Sequence, residues 1–320
     1  MNYINIIMWS KRWSLNNFLT TIDKNPNSNI VVLGAEEFSM LGWENYPNQK
    51  KVNKRNQKKV NKRIKGRNVH FVAGHFGGNN NFWPKYGNLN IWKSFWPANT
   101  VYEFNKFNHT ISNQDITIPF ISMNNQPWQH RCLMMDTLAK YNLVDKGSIS
   151  WNNLVNDYDW KYWKQERLII DKEYANTTAQ YSTLPNDYNF SLVSLVNEST
   201  METMFPTEKT YAPIYYKKPF LVFSVQNYHK MLNEEFGFEM YDELFDYSFD
   251  SEPNQEKRAD MIAIQINSLV NQNYNNLYKK VAQKVERNYN KLIDISLDKS
   301  RVPKIVLECG AYKKLIEVMK

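Results

Sequence analysis

A carboxylate and an ammonium stand side by side at Glu208 and Lys209, directly after Pro206-Thr207 and before the helically spaced apolar residues Tyr211, Ile214 and Tyr215. The spacing predicts a helix that opens at Thr207 and stops before Pro219. The flanking runs Phe190–Val196 and Phe220–Phe223 read as buried strands, and Asn197-Glu198-Ser199 as the polar loop leaving the first of them. In an open α/β sheet, ligands bind where strand ends meet helix N-termini. A helix N-terminus favours anions, and a lysine beside it adds a cation. The chemistry expected at Thr207-Glu208-Lys209 is therefore the holding of a diphosphate.

Arg131 opens a second predicted helix, after the strand Ile118–Met123 and the loop Asn124–Gln129. A cation is unfavourable in a first turn unless an anion faces it, so Arg131 is a second candidate for the same anion, with His130 supporting the structure. A transfer to a hydroxyl also needs a general base. Glu36, Glu37 and His75 stand at the ends of two predicted strands, Asn29–Leu33 and Val69–Ala73; Glu36 or Glu37 is the choice by residue type and place, and His75 is the alternative, as base or as a contact to acceptor or phosphate. Gly74, Gly77 and Gly78 do not space as a dinucleotide fingerprint. Asp157-Tyr158-Asp159 has the form of a metal-binding Asp-x-Asp, but it lies in a polar stretch rather than after an apolar strand, so no metal ligand is assigned. Asp246, Asp250 and Arg258 either close the site or cap the helix that follows.

Lys50–Arg67 contains Lys-Lys-Val-Asn-Lys-Arg twice. So little apolar content predicts a mobile, solvated loop. Lys54, Arg55, Lys58, Lys59, Lys62 and Arg63 are its candidate contacts to nucleic acid or another polyanion, weighed evenly against an expanded surface loop. Trp83, Trp92 and Trp96 form either a stacking platform or, more commonly for such loops, a satellite core.

These candidates need elements to position them. The chain has 320 residues, 42% hydrophobic and 15% aromatic, ample for a core. Its net charge of +8 admits a polyanionic partner. No apolar run spans a bilayer, and Met1–Trp13 lacks a cleavage site and reads as a first strand. Cys132 and Cys309 are the only cysteines, which argues against a disulfide scaffold and for a reducing, cytoplasmic compartment. Strands are predicted at Tyr3–Trp9, Asn29–Leu33, Val69–Ala73 and Thr100–Phe104, with a helix ending near Asp23. This rhythm predicts an α/β lobe over residues 1–115, carrying the basic loop 50–67. A second lobe, 116–320, holds the paired motifs, a polar insertion Asn152–Asp187, and helices at Glu256–Val270, Tyr274–Ile293 and Ala311–Met319.

Phe190-Ser191-Leu192-Val193, Asn197-Glu198-Ser199, Thr207-Glu208-Lys209 and Pro219-Phe220-Leu221-Val222, taken in order, resemble the donor-binding signature of the α-1,3-fucosyltransferases. Ser122-Met123-Asn124-Asn125, His130-Arg131, Asp136 and Leu138 resemble a second segment of that family. The resemblance covers roughly Ile116–Asp250 and implies a GT-B-like fold, two Rossmann-like lobes with a cleft between them and C-terminal helices. It implies an inverting, metal-independent glycosyltransferase with a nucleotide-diphosphate sugar as co-substrate and no other cofactor. Donor contacts would come from Asn124, Arg131, Glu198, Thr207, Glu208, Lys209 and Tyr211, with Lys209 and Arg131 on the diphosphate and Glu208 on the ribose. The loop reads Asn-Glu-Ser where the family has Glu-Asn-Ser, and the donor's base and sugar stay open. The resemblance points to a glycan acceptor; the charge points to a hydroxylated base in nucleic acid, as for a viral or phage enzyme working in a host cytoplasm. The competing reading is a non-catalytic nucleic-acid-binding protein using the basic arm and the aromatics.

Overall fold

The computed structural model describes residues 3–7, 15–33, 58–60, 62–73, 88–91, 95–105, 115–152, 154, 157–170, 184–201, 204–310 and 312. The chain divides into two compact units, Met1–Phe95 with Asp298–Lys320, and Trp96–Leu297. The expected division fell at residue 115/116.

The first unit carries β1 (Tyr3–Ile7), α1 (Leu15–Asp23), β2 (Asn29–Leu33), β3 (Val69–Ala73) and β4 (Asn88–Ile91). The four strands are parallel and lie in chain order. Leu19 and Ile22, one helical turn apart, bury the inner face of α1. The basic segment is not a structureless loop throughout: 58–60 and 62–64 are helical. Val60 and Ile64, four residues apart, supply the buried stripe that holds them.

In the second unit α2 (Phe95–Asn105) precedes β5 (Ile118–Asn124), α3 (Gln129–Lys140), β6 (Ser148–Trp151), the turn α4 (Asp187–Phe190) and β7 (Ser191–Asn197). Then come α5 (Glu208–Tyr215), β8 (Phe220–Phe223), α6 (Tyr228–Phe236), α7 (Gln255–Leu269) and α8 (Tyr274–Leu297). The expected strand Thr100–Phe104 is helix. Its β-favouring residues are overruled by Pro97 in the first turn and by burial of Ala98, Val101 and Phe104 at three-residue spacing. Gly237 ends α6 in the left-handed conformation at φ 73°. In the first unit α9 (Lys304–Glu308) follows, while the expected helix Ala311–Met319 lies, apart from Tyr312, outside the described residues.

The second sheet is also parallel, but its order is β6-β5-β7-β8. The chain moves outward from β5 through α3 to β6, then returns to the other side of β5 as β7 and moves outward again through α5 to β8. Right-handed crossovers therefore send α3 and α5 to opposite faces. The contacts agree: α3 packs on α7, and α5 packs on α8. Strands covered on both faces must be apolar along their whole length, and every residue of β7 and β8 is buried.

Candidate functional site

Where the strand order reverses, between β5 and β7, adjacent loops diverge to opposite faces and leave a crevice at the carboxyl ends of the strands. Among the described strands the first sheet has no such reversal. Both motif segments of the sequence end at this one edge: Asn124 closes β5, and Asn197 closes β7.

The two strand ends are joined beneath the surface. Asn197 Nδ2 donates to Asn124 Oδ1 at 2.8 Å, and the Asn124 amide donates to Ser122 Oγ at 3.1 Å. Asn124 N–H donates to Ser150 Oγ, which ties in β6. Asn124 therefore sets strand spacing from within, at 2% exposure.

Glu198 is the junction's centre. Its side chain is fully buried, and both oxygens are used inside the protein. Oε1 accepts from Thr207 N–H (2.9 Å), Thr210 Oγ1 (2.7 Å) and Tyr228 OH (3.0 Å). Oε2 accepts from Ser199 N–H and Thr207 Oγ1, each at 2.8 Å. Its carbonyl accepts from His130 Nε2 at 2.8 Å and Arg131 Nη2 at 3.2 Å. One residue thus fastens the end of β7 to the first turns of α3, α5 and α6. Expected as a donor contact, Glu198 is instead a positioning residue.

Arg131 and Tyr211 also lie inward. Arg131 is 4% exposed, and its guanidinium spans the carbonyls of Gln126 and Glu198. Tyr211 is buried against Phe236 and Phe238, on the core side of α5. His130 sits in the same first turn as Arg131. Burial, with the neighbouring Arg131 charge, lowers its pKa to about 4 against the pull of the Glu198 carbonyl, so it stays neutral at pH 7.

What stays partly exposed at the start of α5 is the Glu208-Lys209 pair. Thr207 caps the helix, its hydroxyl accepting from Lys209 N–H at 3.3 Å. Lys209 Nζ lies 2.7 Å from Glu208 Oε1 and 3.0 Å from Ser199 Oγ, with the two charged side chains 16% and 26% exposed. Burial would raise the Glu208 pKa, but the Lys209 charge and hydrogen bond and the helix-start N–H groups hold it below the ordinary carboxylate range. The ammonium can thus turn to an arriving anion, which would leave an ionised Glu208 as an acceptor for hydroxyls.

Two groups were missed in the sequence. Trp128, the residue before α3, leaves its ring 54% exposed at this edge. Its signal was an indole directly after a predicted strand-end Pro127. Ser199, the partner of Lys209, could be recognised only once the loop had folded back.

The remaining candidates lie elsewhere. Glu36, Glu37, His75, Lys54, Arg55, Trp83 and Trp92 are outside the described residues. Asp136 accepts from Lys161, Tyr162 and Trp163 N–H, which pins the loop bearing the exposed Asp157 and Asp159. The expected polar insertion is thus partly packed: Trp151, Trp160 and Trp163 stack edge-on against one another, and Leu168 pairs with Trp151 across β6. Asp246 caps the short turn Tyr247–Ser251. Asp250 caps α6 by accepting from His229 and Lys230 N–H, and Arg258 is buried nearby. The Cys132 thiol is pushed up to about 11, chiefly by burial, and is no nucleophile. A groove of about 390 Å³ bordered by Ile118, Lys146, Ser148 and Asp187 opens at the opposite, amino-terminal edge of the strands.

Fold and site together define an open parallel α/β protein with a lysine at a capped helix start beside a topological switch point. No family model matches the chain, and no curated protein matches it. Among solved structures it is similar to the DNA modifying enzyme β-glucosyltransferase, determined in the presence and absence of its substrate uridine diphosphoglucose. The TM-score is 0.43 at 10% identity, over 99% of this chain and 100% of that one. So remote a likeness bears on neither the site nor the reaction.

Proposed function

We propose that this chain is a glycosyltransferase that takes a nucleotide-diphosphate sugar at the β5–β7 edge and passes the sugar to a hydroxyl acceptor, with inversion and without a metal. The observation that carries the reading is Lys209 at the capped start of α5, over the carboxyl edge of a parallel sheet whose strand order reverses there. Lys209 receives the diphosphate, Glu208 accepts the ribose hydroxyls, and the Trp128 ring gives the base a flat apolar face. The acceptor oxygen attacks the anomeric carbon as its bond to the diphosphate breaks. The electron pair leaves on the nucleoside diphosphate, whose charge Lys209 stabilises, and a base from among Glu36, Glu37 and His75 holds the acceptor's proton. The donor motif's likeness to the α-1,3-fucosyltransferases supports this class of reaction; which sugar and base are carried is left to experiment.

The test is a thermal-shift panel of GDP, UDP, ADP and CDP, with and without EDTA, on wild type and Lys209→Ala. One diphosphate should raise the melting temperature by mass action, regardless of EDTA, and lose the effect in the variant. No shift from any of the four overturns the reading.

A further inference from the structure

No Asp or Glu occurs between Glu44 and Glu103. Of the 40 Lys and Arg in the chain, 12 fall inside that interval and 28 outside it, where all 32 acids lie. The net positive charge of the protein therefore resides wholly in this stretch.

Within it the structure divides the labour between arginine and lysine. Arg63 Nε meets both carboxylate oxygens of Asp23, at 3.1 and 3.0 Å. Arg67 bonds the carbonyls of Ile22, Asn25 and Ser28 around the end of α1. Val60 and Ile64 are buried. Four anchors thus fix 58–67 against the first unit, and one of them neutralises Asp23, the nearby acid. Lys58, Lys59, Lys62 and Lys65 are all exposed, and among the described residues none of them enters an ion pair. Lys58 and Lys62 are four positions apart in the helical turns 58–60 and 62–64 and share one face, and Lys65 follows in the turn that ends them.

We propose that this lysine face is a docking surface for the phosphate backbone of a nucleic-acid duplex. Helical residues rise ~1.5 Å each, and a duplex strand carries a phosphate charge about every 3.4 Å, so lysines recurring in the helical turns 58–60 and 62–64 match a run of successive phosphates. An anionic membrane is the poorer fit, because interfacial helices bury an apolar face in the lipid, whereas Val60 and Ile64 are spent on the protein's own core. Lysines as point charges on flexible stems suit contacts that carry no base specificity. The surface stands independently of the transferase reading; where that reading also holds, it makes nucleic acid the carrier of the acceptor hydroxyl.

The experiment is a salt titration of a fluorescent DNA duplex on the full chain, comparing wild type with K58Q/K59Q/K62Q/K65Q. Exposed lysines on unit 2, changed as K279Q/K280Q, serve as the control, and vesicles of anionic lipid as the competing polyanion. Wild-type binding should weaken steeply with salt, and the quadruple variant should lose about 3–4 from the log–log slope, with the control unchanged and vesicles bound weakly. The same slope in wild type and quadruple variant overturns the proposal, as does vesicle binding that equals duplex binding and falls equally in the variant. Should the quadruple variant melt early, the pair K58Q/K62Q carries the same test with about half the change in slope. The nucleoside-diphosphate shift, measured alongside, should not change in the lysine variants. Duplex binding without any diphosphate shift overturns the transferase alone, and the reverse overturns this surface alone.

Discussion

At the scale of single residues, a buried carboxylate is retained where many donors converge on it. Five donors meet Glu198, among them Thr207 and Ser199 N–H at the ends of the loop it closes. Glu198→Ala leaves these donors buried and unmet, at a cost of about 3–4 kcal/mol. Urea unfolding checks this, with Lys209→Ala as the contrast: removal of a cation 16% exposed at the helix start should cost much less stability than Glu198→Ala while abolishing the diphosphate shift. His130 makes a pH prediction. Its folded pKa of about 4 lies below the ordinary 6.5, so the unfolded chain binds the proton more readily. The neutral ring's contribution is complete above pH 6.5 and is lost as pH falls through 4. Over that window wild type should lose about 3 kcal/mol that His130→Gln keeps. The amide can still donate to the Glu198 carbonyl but cannot titrate. Parallel pH curves for the two proteins would refute it.

At the scale of elements, β8 is an edge strand, and its exposed N–H groups must be met. Val222 N–H donates to His229 Nε2, which leaves Nδ1–H to donate to Asp250 Oδ1 at 2.9 Å. The start of the same strand is less economical. Lys218 is fully buried there, its ammonium on the Ser191 carbonyl at the start of β7 and 5.3 Å from the Tyr188 ring. Burial lowers its pKa to about 7 from 10.5. Below pH 7 the fold must bury a charge that the unfolded chain solvates, so stability should rise as pH climbs from about 7 to 10.5. Lys218→Met should flatten that rise and add about 1–3 kcal/mol at neutral pH, read by denaturant melts across the range. A destabilised variant with the same pH slope would show the charge to be structural.

At the scale of the whole molecule, two compact units each carry their own parallel sheet, and the charge is segregated between them. A ligand stabilises only the state that binds it. Calorimetry with the diphosphate that shifts the melt should therefore raise the transition of the unit spanning Trp96–Leu297. A Lys209→Ala protein should show no such rise. A rise that survives the substitution would place the ligand elsewhere.

Local patterning along the chain was enough to predict the strands at Ile118, Phe190 and Phe220, the helix opening at Thr207, and the placement of Glu208-Lys209 at a strand-to-helix junction, because capping, helical spacing and continuous apolar runs act over a few residues. It could not predict α2, where burial of Ala98, Val101 and Phe104 outweighs β propensity, nor the helical turns at 58–60 and 62–64, whose two apolar residues count only against a core to receive them. The site divides in the same way. The motif resemblance nominated Glu198, Arg131 and Tyr211 alongside Lys209. Only the tertiary structure turned the first three inward and left the ammonium at the edge, because which face of a junction meets solvent depends on strand order and on the helices packed behind it.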